Sequence, residues 1–305
     1  MTVLEVIQRS TEHLAKRGVD SPRLQIELLL AQVLHLPRLN LYLNFDRVLT
    51  ESELDAVRQM VRRRGQREPL QQILGSASFC GLELALTPAV LVPRPETELL
   101  AERAWKFLLA RQAGAPSQGA ALHEGQPPTS APQPSTALDF GTGSGCLAIA
   151  VAANCPGSLV YALDISAAAL AVATANAARH GVADRIRFLS GDGFSPLPDG
   201  VRFDLIVANP PYIPSLQIAS LQPEVRDFDP RPALDGGPDG LAVIRRLAAE
   251  APPFLRPEGR LMLEFGDGQA QSVSALCQAH GWHVEALEPD YSGRPRFLIA
   301  QFGRL

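Results

Sequence analysis

Four consecutive residues, Asn209-Pro210-Pro211-Tyr212, hold the densest chemical information in the chain. They end the apolar, β-branched run Phe203-Asp204-Leu205-Ile206-Val207-Ala208, which reads as a buried strand. Neither proline can donate a backbone hydrogen bond, so the ladder stops and Asn209 is left at the carboxyl edge of a parallel sheet. Open α/β folds bind their ligands at that edge. The asparagine side chain has one acceptor oxygen and two N–H donors, and Pro210 adds a carbonyl on a stiff backbone. Such a pair of acceptors suits a planar –NH2 group. A second cluster, Gly141-Thr142-Gly143-Ser144-Gly145, lies between the run ending Leu138-Asp139-Phe140 and a helix-forming stretch from Cys146. Its glycines permit positive φ and let a ligand approach the main chain closely. Asp164 ends the next apolar run about 20 residues on, the spacing from which a carboxylate meets ribose hydroxyls. Singly, each of these has a plain reading as a turn or a strand end. In this order on successive strands they describe a site for a nucleoside cofactor beside a substrate amine or amide.

The loop itself narrows the cofactor. Dinucleotide-binding loops read G-x-G-x-x-G, and the sixth position here is Cys146. Here the pattern is G-x-G-x-G with Asp139 before it, as in S-adenosylmethionine enzymes, where the acidic residue can meet the amino group of the methionine tail. The sulfonium is a cation, and Asp139 and Asp164 suit it better than they suit a pyrophosphate. Asp192, after the following strand, is open to two readings, a contact to the adenine edge or an ordinary turn aspartate.

The elements that must position these residues follow from periodicity. Residues 1–73 read as a small helical domain: Ser21-Pro22 opens one helix and Thr50 with Glu53 forms a capping box for another. That second helix ends in Arg62-Arg63-Arg64-Gly65, read as a solvated C-terminus favoured by the macrodipole, with a docking patch as the alternative. Residues 74–95 read as a β-hairpin connector, and 96–305 as the catalytic domain. In it, strands Ala137–Phe140, Leu159–Asp164, Ile186–Leu189 and Phe203–Ala208 alternate with helices, the signature of a parallel sheet with right-handed crossovers. Arg260–Phe265 is a further strand, and Trp282–Leu287 with Arg296–Gln301 closes the chain as an antiparallel hairpin. Residues 112–135, rich in Ala, Pro, Gly, Ser and Gln, read as a disordered surface insertion. The expected fold is therefore α/β: a Rossmann-like, doubly wound sheet with an antiparallel last strand, plus the N-terminal helical domain.

Composition excludes several function classes. With 305 residues, 46% hydrophobic and 20% charged, the chain is long enough for two domains with real cores. A net charge of −4 disfavours a general nucleic-acid binder. No basic segment leads into an apolar core at the N-terminus and no apolar stretch is long enough to cross a bilayer, so no signal peptide and no membrane partner are expected. Cys80, Cys146, Cys155 and Cys277 lack metal-ligand spacing and read as reduced thiols, and His280 and His283 lack accompanying ligands. The expectation is a cytoplasmic protein without a metal site.

The ordered motifs resemble the HemK family of protein-(glutamine-N5) methyltransferases, in the branch that modifies peptide chain release factors. The likeness covers nearly the whole chain and implies that its α/β sheet is that of a class I S-adenosylmethionine-dependent methyltransferase. It includes Phe79-Cys80-Gly81-Leu82-Glu83, Val92-Pro93-Arg94-Pro95-Glu96-Thr97-Glu98, Asp139 through Gly145, and Asn209 through Ile213. It continues through Glu224, Ala233 to Gly237, Asp239-Gly240-Leu241, Glu264-Phe265-Gly266 with Gln269, and Gly293-Arg294-Pro295-Arg296. The resemblance implies that Gly141, Thr142, Gly143, Ser144, Gly145, Asp164 and Asn209 contact S-adenosylmethionine. It implies that Asn209, Pro210, Pro211 and Tyr212 hold a substrate glutamine, with Asn209, Pro210 and Tyr212 as the catalytic set. The implied partners are class 1 peptide chain release factors, modified in their Gly-Gly-Gln motif and gripped by the helical domain. One departure is Asp192-Gly193-Phe194, where members often carry a bulky aromatic at the middle position; Phe194 or Leu91 is left to compensate. Two rivals remain on the motif alone. An adenine-N6 DNA methyltransferase also presents Asn-Pro-Pro-Tyr to an exocyclic amine, but it must flip a base and hold phosphates, against the negative charge here. A non-enzymatic cofactor-binding adaptor has no use for an intact Asn-Pro-Pro-Tyr.

Overall fold

A computed structural model describes residues 1–114 and 134–303. Its N-terminal helices are α1 (Val3–Ala15), α2 (Pro22–Val33), α3 (Glu51–Gly65) and α4 (Leu70–Leu74). Capping boxes start two of them. Thr2 and Glu5 exchange side-chain and backbone hydrogen bonds at α1, and Thr50 and Glu53 do the same at α3. Ser21 departs from expectation: its backbone is left-handed (φ +48°) and its side chain makes no capping bond, so α2 begins on Pro22 at its first turn alone. Ile7, Leu14, Ile26, Leu29, Leu30 and Leu41 are fully buried and form this unit's own core.

The hairpin β1 (Ser76–Phe79) and β2 (Leu82–Ala85) follows, then α5 (Pro95–Gly114). Helix α5 carries residues 112–114, which the sequence had assigned to the insertion; 115–133 lie outside the described residues. The remainder alternates: β3 (Ser135–Phe140), α6 (Cys146–Asn154), β4 (Ser158–Asp164), α7 (Ala167–Arg179), β5 (Ile186–Ser190) and β6 (Phe203–Ala208). Two short helices, α8 (Pro223–Arg226) and α9 (Arg231–Leu234), precede α10 (Ala242–Glu250), β7 (Leu255–Glu264), α11 (Ala270–Ala279), β8 (Trp282–Pro289) and β9 (Pro295–Phe302). The seven strands run in the order β5-β4-β3-β6-β7-β9-β8, all in one direction except β9, which is antiparallel to both its neighbours β7 and β8.

Strand parity sorts the side chains to two faces. Ala137 of β3 and Leu205 and Val207 of β6 pack with α5 and α6, whereas Leu138, Phe140, Ile206 and Ala208 pack with α10 and α11. Buried on both sides, β3 and β6 read as unbroken apolar runs, as central parallel strands should. The strand order reverses between β3 and β6. The loops after these two strands, Gly141–Gly145 and Asn209–Tyr212, therefore flank the crevice where doubly wound sheets bind ligands.

One segment joins the two units. Residues 213–237 fold back on themselves through an Ile213–Asp235 bridge and a Ser215 Oγ to Asp235 Oδ1 hydrogen bond of 2.5 Å. The Glu224 carboxylate in this segment receives Arg64 Nη2 at 2.8 Å and Arg67 Nε and Nη2 at 2.6 and 2.7 Å. Arg64, expected to be solvated, is thus a buried residue that also donates to Gln25 and to the Glu68 carbonyl. Arg94 adds a 2.6 Å bond to the buried Asp229. These are part-buried, charge-assisted contacts that hold the loop in place.

Candidate active site

Strand β6 delivers Asn209 on the same face as Leu205 and Val207, toward α5. Ala208 pairs with Leu263 of β7, so Glu264 ends the neighbouring strand directly beside Asn209. Thr97, in the first turn of α5, closes the gap. Asn209 Nδ2 donates to Thr97 Oγ1 at 3.1 Å, and Thr97 Oγ1 donates to Glu264 Oε2 at 2.7 Å. Tyr212 donates its hydroxyl proton to Glu264 Oε1 at 3.2 Å and accepts from Arg296 Nη2 at 3.0 Å. The Arg296 guanidinium lies over the Tyr212 ring, 5.1 Å from its centroid, a cation–π contact. Gln269 receives the Gly266 N–H and donates to the Tyr212 carbonyl, bracing the turn from behind.

Glu264 is fully buried, which pushes its pKa above the usual carboxylate range despite the Thr97 bond and the Arg296 charge. Burial, and then the Glu264 charge, push the Tyr212 phenol upward, so Tyr212 stays a neutral donor. In front of this network is a cavity of about 280 Å³ lined by Asn209, Pro210 and Tyr212, with Leu91, Leu221 and Val225 among its apolar walls. Among the described residues no donor reaches Asn209 Oδ1 or the Pro210 carbonyl. Two oriented acceptors are thus available beside the cavity. A larger groove of about 540 Å³ is lined by N-terminal residues alone, Arg9, His13, Arg17, Arg58 and Arg62 among them, and holds none of this chemistry.

The glycine loop occupies the other side of the crevice. Gly141 and Thr142 donate backbone N–H groups to the Leu163 carbonyl, and Gly143 N–H donates to Asp164 Oδ2 at 2.8 Å. Asp164 Oδ1 accepts from Ser166 N–H, which anchors the carboxylate at the start of α7. Asp139 is fully buried beneath the loop; its Oδ2 accepts from Thr142 Oγ1 at 2.6 Å and from Ala148 N–H at 3.0 Å. Its Oδ1 has no hydrogen-bond partner among the described residues. Burial raises its pKa to about 7, against the two hydrogen bonds and with help from the Asp164 charge. Asn176 ties the Ser144 carbonyl and the Ala85 backbone together, linking the loop to the hairpin.

Gly141, Gly143 and Gly145 all have positive φ, but for different reasons. A Cβ on Gly141 or Gly143 would meet nothing within 4 Å, whereas on Gly145 it would sit 2.9 Å from Ile149 Cδ1 and 3.0 Å from Ala173 Cβ. Gly145→Ala therefore combines left-handed strain with overpacking, for a loss of about 2–4 kcal/mol. Gly143→Ala carries only the strain, about 1–2 kcal/mol. Urea unfolding of the two variants checks the difference; equal losses would contradict the packing role of Gly145.

Three residues named for the adenine contact, Asp192, Phe194 and Leu91, have different surroundings. Asp192 is mostly exposed and ion-paired to Arg246 at 2.5 Å. A Cβ on Gly193 would lie 2.1 Å from that guanidinium, so Arg246 fills the space beside it. Phe194 cannot serve as a stacking platform, because it is buried in the core between Phe140 and Phe254. Leu91 faces the cavity beside Asn209 instead. Thr97, Glu264, Gln269 and Arg296 carry the network but received no role from the sequence, although all four lie in its recognised motifs.

Comparison with known proteins decides the family. A release factor glutamine methyltransferase from Geobacter sulfurreducens is 43% identical over 99% of this chain and 97% of its own length. The chain belongs to the release factor glutamine methyltransferase family. A second such protein, from Chlorobaculum tepidum, is 44% identical over 97% of this chain and 96% of its own. The PrmC N-terminal domain model matches residues 5–75, and the methyltransferase small domain model matches residues 128–221. Among solved structures, the hMettl16 catalytic domain superposes with a TM-score of 0.52 at 14% identity over 80% of this chain and 81% of that one, a likeness of fold. As a release factor glutamine methyltransferase family member, the chain is an S-adenosylmethionine-dependent methyltransferase with the class I sheet expected from its sequence.

Proposed function

We propose that this enzyme methylates the side-chain amide nitrogen, N5, of the glutamine in the Gly-Gly-Gln motif of class 1 peptide chain release factors. The observation that carries the reading is the pair of open acceptors, Asn209 Oδ1 and the Pro210 carbonyl, beside a cavity that the Asn-Pro-Pro-Tyr turn lines. Relatives matched over nearly their full length and named release factor glutamine methyltransferase support it. The cofactor reading also has support in the fold: the unpartnered buried Asp139 Oδ1 calls for a cation or donor, and Gly141 and Gly143 leave open space above the loop. When bound, S-adenosylmethionine supplies a methyl group on a cationic sulfur. Gly141 to Gly145, Asp139 and Asp164 would hold it.

A carboxamide nitrogen is a poor nucleophile because its lone pair is delocalised into the carbonyl. Asn209 Oδ1 and the Pro210 carbonyl accept its two N–H bonds and fix its plane and direction. Those acceptors also favour pyramidalisation and stabilise the positive charge that develops on nitrogen. A base of shifted pKa is not required, since the proton leaves after the new bond has formed. Tyr212, held by Glu264 and Arg296, forms a rigid wall for the glutamine stem.

The helical N-terminal residues are assigned the task of gripping the release factor, and the Glu224 contacts to Arg64 and Arg67 connect that unit to the cavity wall at Leu221 and Val225. No helix among the described residues is long and apolar enough to cross a membrane, and we place the reaction in the cytoplasm with no nucleic acid as substrate. Incubating the purified enzyme with a class 1 release factor and S-adenosylmethionine should add one methyl to that glutamine, read by peptide mass spectrometry. A methyl on another residue, or on DNA adenine instead, would overturn the reading.

A further inference from the structure

Glu264 is a buried carboxylate that the methyl-transfer chemistry above does not use, yet it sits at the root of the network that ends on Asn209. We propose that Glu264 is a positioning residue that sets the direction of the hydrogen bonds through Thr97, and thereby fixes which atom of the Asn209 amide faces the substrate. This rests on the glutamine-methylating reading of the site.

The logic is one of donors and acceptors. With a hydroxyl donor on each oxygen and the Arg296 guanidinium beside it, Glu264 acts as a carboxylate that only accepts, so the single Thr97 hydroxyl proton goes to Oε2, 2.7 Å away. Thr97 Oγ1 can then only accept from Asn209, and the atom facing it at 3.1 Å is Nδ2. An asparagine whose nitrogen is committed to Thr97 turns its oxygen the other way, and Oδ1 becomes the acceptor beside the cavity. Tyr212 forms a second branch, donating to Glu264 Oε1 and accepting from Arg296 Nη2. The carboxylate is held at this junction by Arg296 of β9, whose Nε is 3.9 Å from Oε1.

Glu264→Gln preserves shape but offers one acceptor where the carboxylate offers two. Arg296 already donates to the Tyr212 hydroxyl, whose own proton needs the remaining acceptor. The glutamine nitrogen therefore falls on the Thr97 side. Thr97 must then turn its proton to Asn209, the Asn209 amide flips, and an N–H donor faces the substrate N–H.

The test has two arms. In the kinetic arm, Glu264→Gln and Thr97→Val each lower kcat by roughly a hundredfold, the scale for losing one oriented group at a reacting centre. KM for the release factor and the calorimetric Kd for S-adenosylhomocysteine stay within threefold. The double variant is no slower than the slower single by more than about threefold, because the two act as one unit. Thr97→Ser, which restores the hydroxyl, regains most of the rate lost in Thr97→Val. A Glu264→Gln enzyme with kcat within threefold of the parent, or single losses that multiply in the double variant, would overturn the proposal. The second arm needs no turnover. In the parent protein the Asn209 side-chain NH2 protons show a nuclear Overhauser effect to the Thr97 methyl group, and in Glu264→Gln they lose it. Retention of that signal would equally overturn the proposal, whereas a parent enzyme that fails to methylate glutamine would sink the functional reading and leave the NMR arm to decide the polarity.

Discussion

Asn209→Ala lowers kcat by about 10²–10³-fold while the Kd for S-adenosylhomocysteine changes only a few-fold. The asymmetry follows from where Asn209 sits. Its nitrogen is engaged by Thr97 and its oxygen is open beside the cavity, while the contacts that hold the glycine loop and Asp164 in place are made by other residues. Asn209→Asp should fare no better, although aspartate also presents an acceptor to the substrate. Its second oxygen would face Thr97 Oγ1, whose proton is already committed to Glu264, and would place a second carboxylate beside the buried one. Single-turnover rates and calorimetry on the two variants check the pattern. Parallel loss of cofactor affinity and rate would mean that Asn209 serves the cofactor site instead.

A second large effect concerns Asp139 and pH. Burial lifts its pKa from 3.8 to about 7, so the ligand-free folded protein holds a proton that the unfolded chain has released above pH 4. The folded state then binds more protons than the unfolded state, and stability falls as pH rises from about 4 to about 7. The full difference is on the order of 4 kcal/mol. Asp139→Asn should flatten this slope in urea unfolding. Cofactor binding runs the other way. A cationic amino group beside the unpartnered Oδ1 favours the carboxylate, so S-adenosylhomocysteine should bind more tightly from pH 5.5 to 7 and release a proton as it does. Calorimetry in buffers of different ionisation enthalpy measures that proton; a pH-independent affinity with no proton release would contradict the role of Asp139.

Much of this arrangement is legible in the sequence. The β3, β4, β5 and β6 runs, the glycine loop and the two prolines after Ala208 follow from short apolar stretches alternating with helices and from the geometry of glycine and proline. Both capping boxes are local signals whose two partners lie three positions apart, and only the one at Thr50 is read from the sequence above. Other features were not legible because they depend on chain segments far apart in sequence. The β6–β7 register, which puts Glu264 beside Asn209, is set across a connection containing three helices, and Thr97 arrives from α5 more than a hundred positions earlier. Arg64 reads as one of three solvated arginines at a helix end, but Gln25, the Glu68 carbonyl and Glu224 from the far unit all bond its guanidinium. Phe194 looked available to stack on a ligand because its partners Phe140 and Phe254 are remote in sequence. Ser21 had a good capping side chain, but its left-handed backbone turns that side chain away from the helix.

The central claim is that two fixed acceptors grip a glutamine carboxamide. A crystal structure of this enzyme with S-adenosylhomocysteine and a Gly-Gly-Gln peptide tests it most directly. The account predicts the glutamine amide nitrogen within about 3 Å of both Asn209 Oδ1 and the Pro210 carbonyl, with its stem against Tyr212. A glutamine bound with its carboxamide oxygen toward Asn209, or lying outside the cavity, would contradict it.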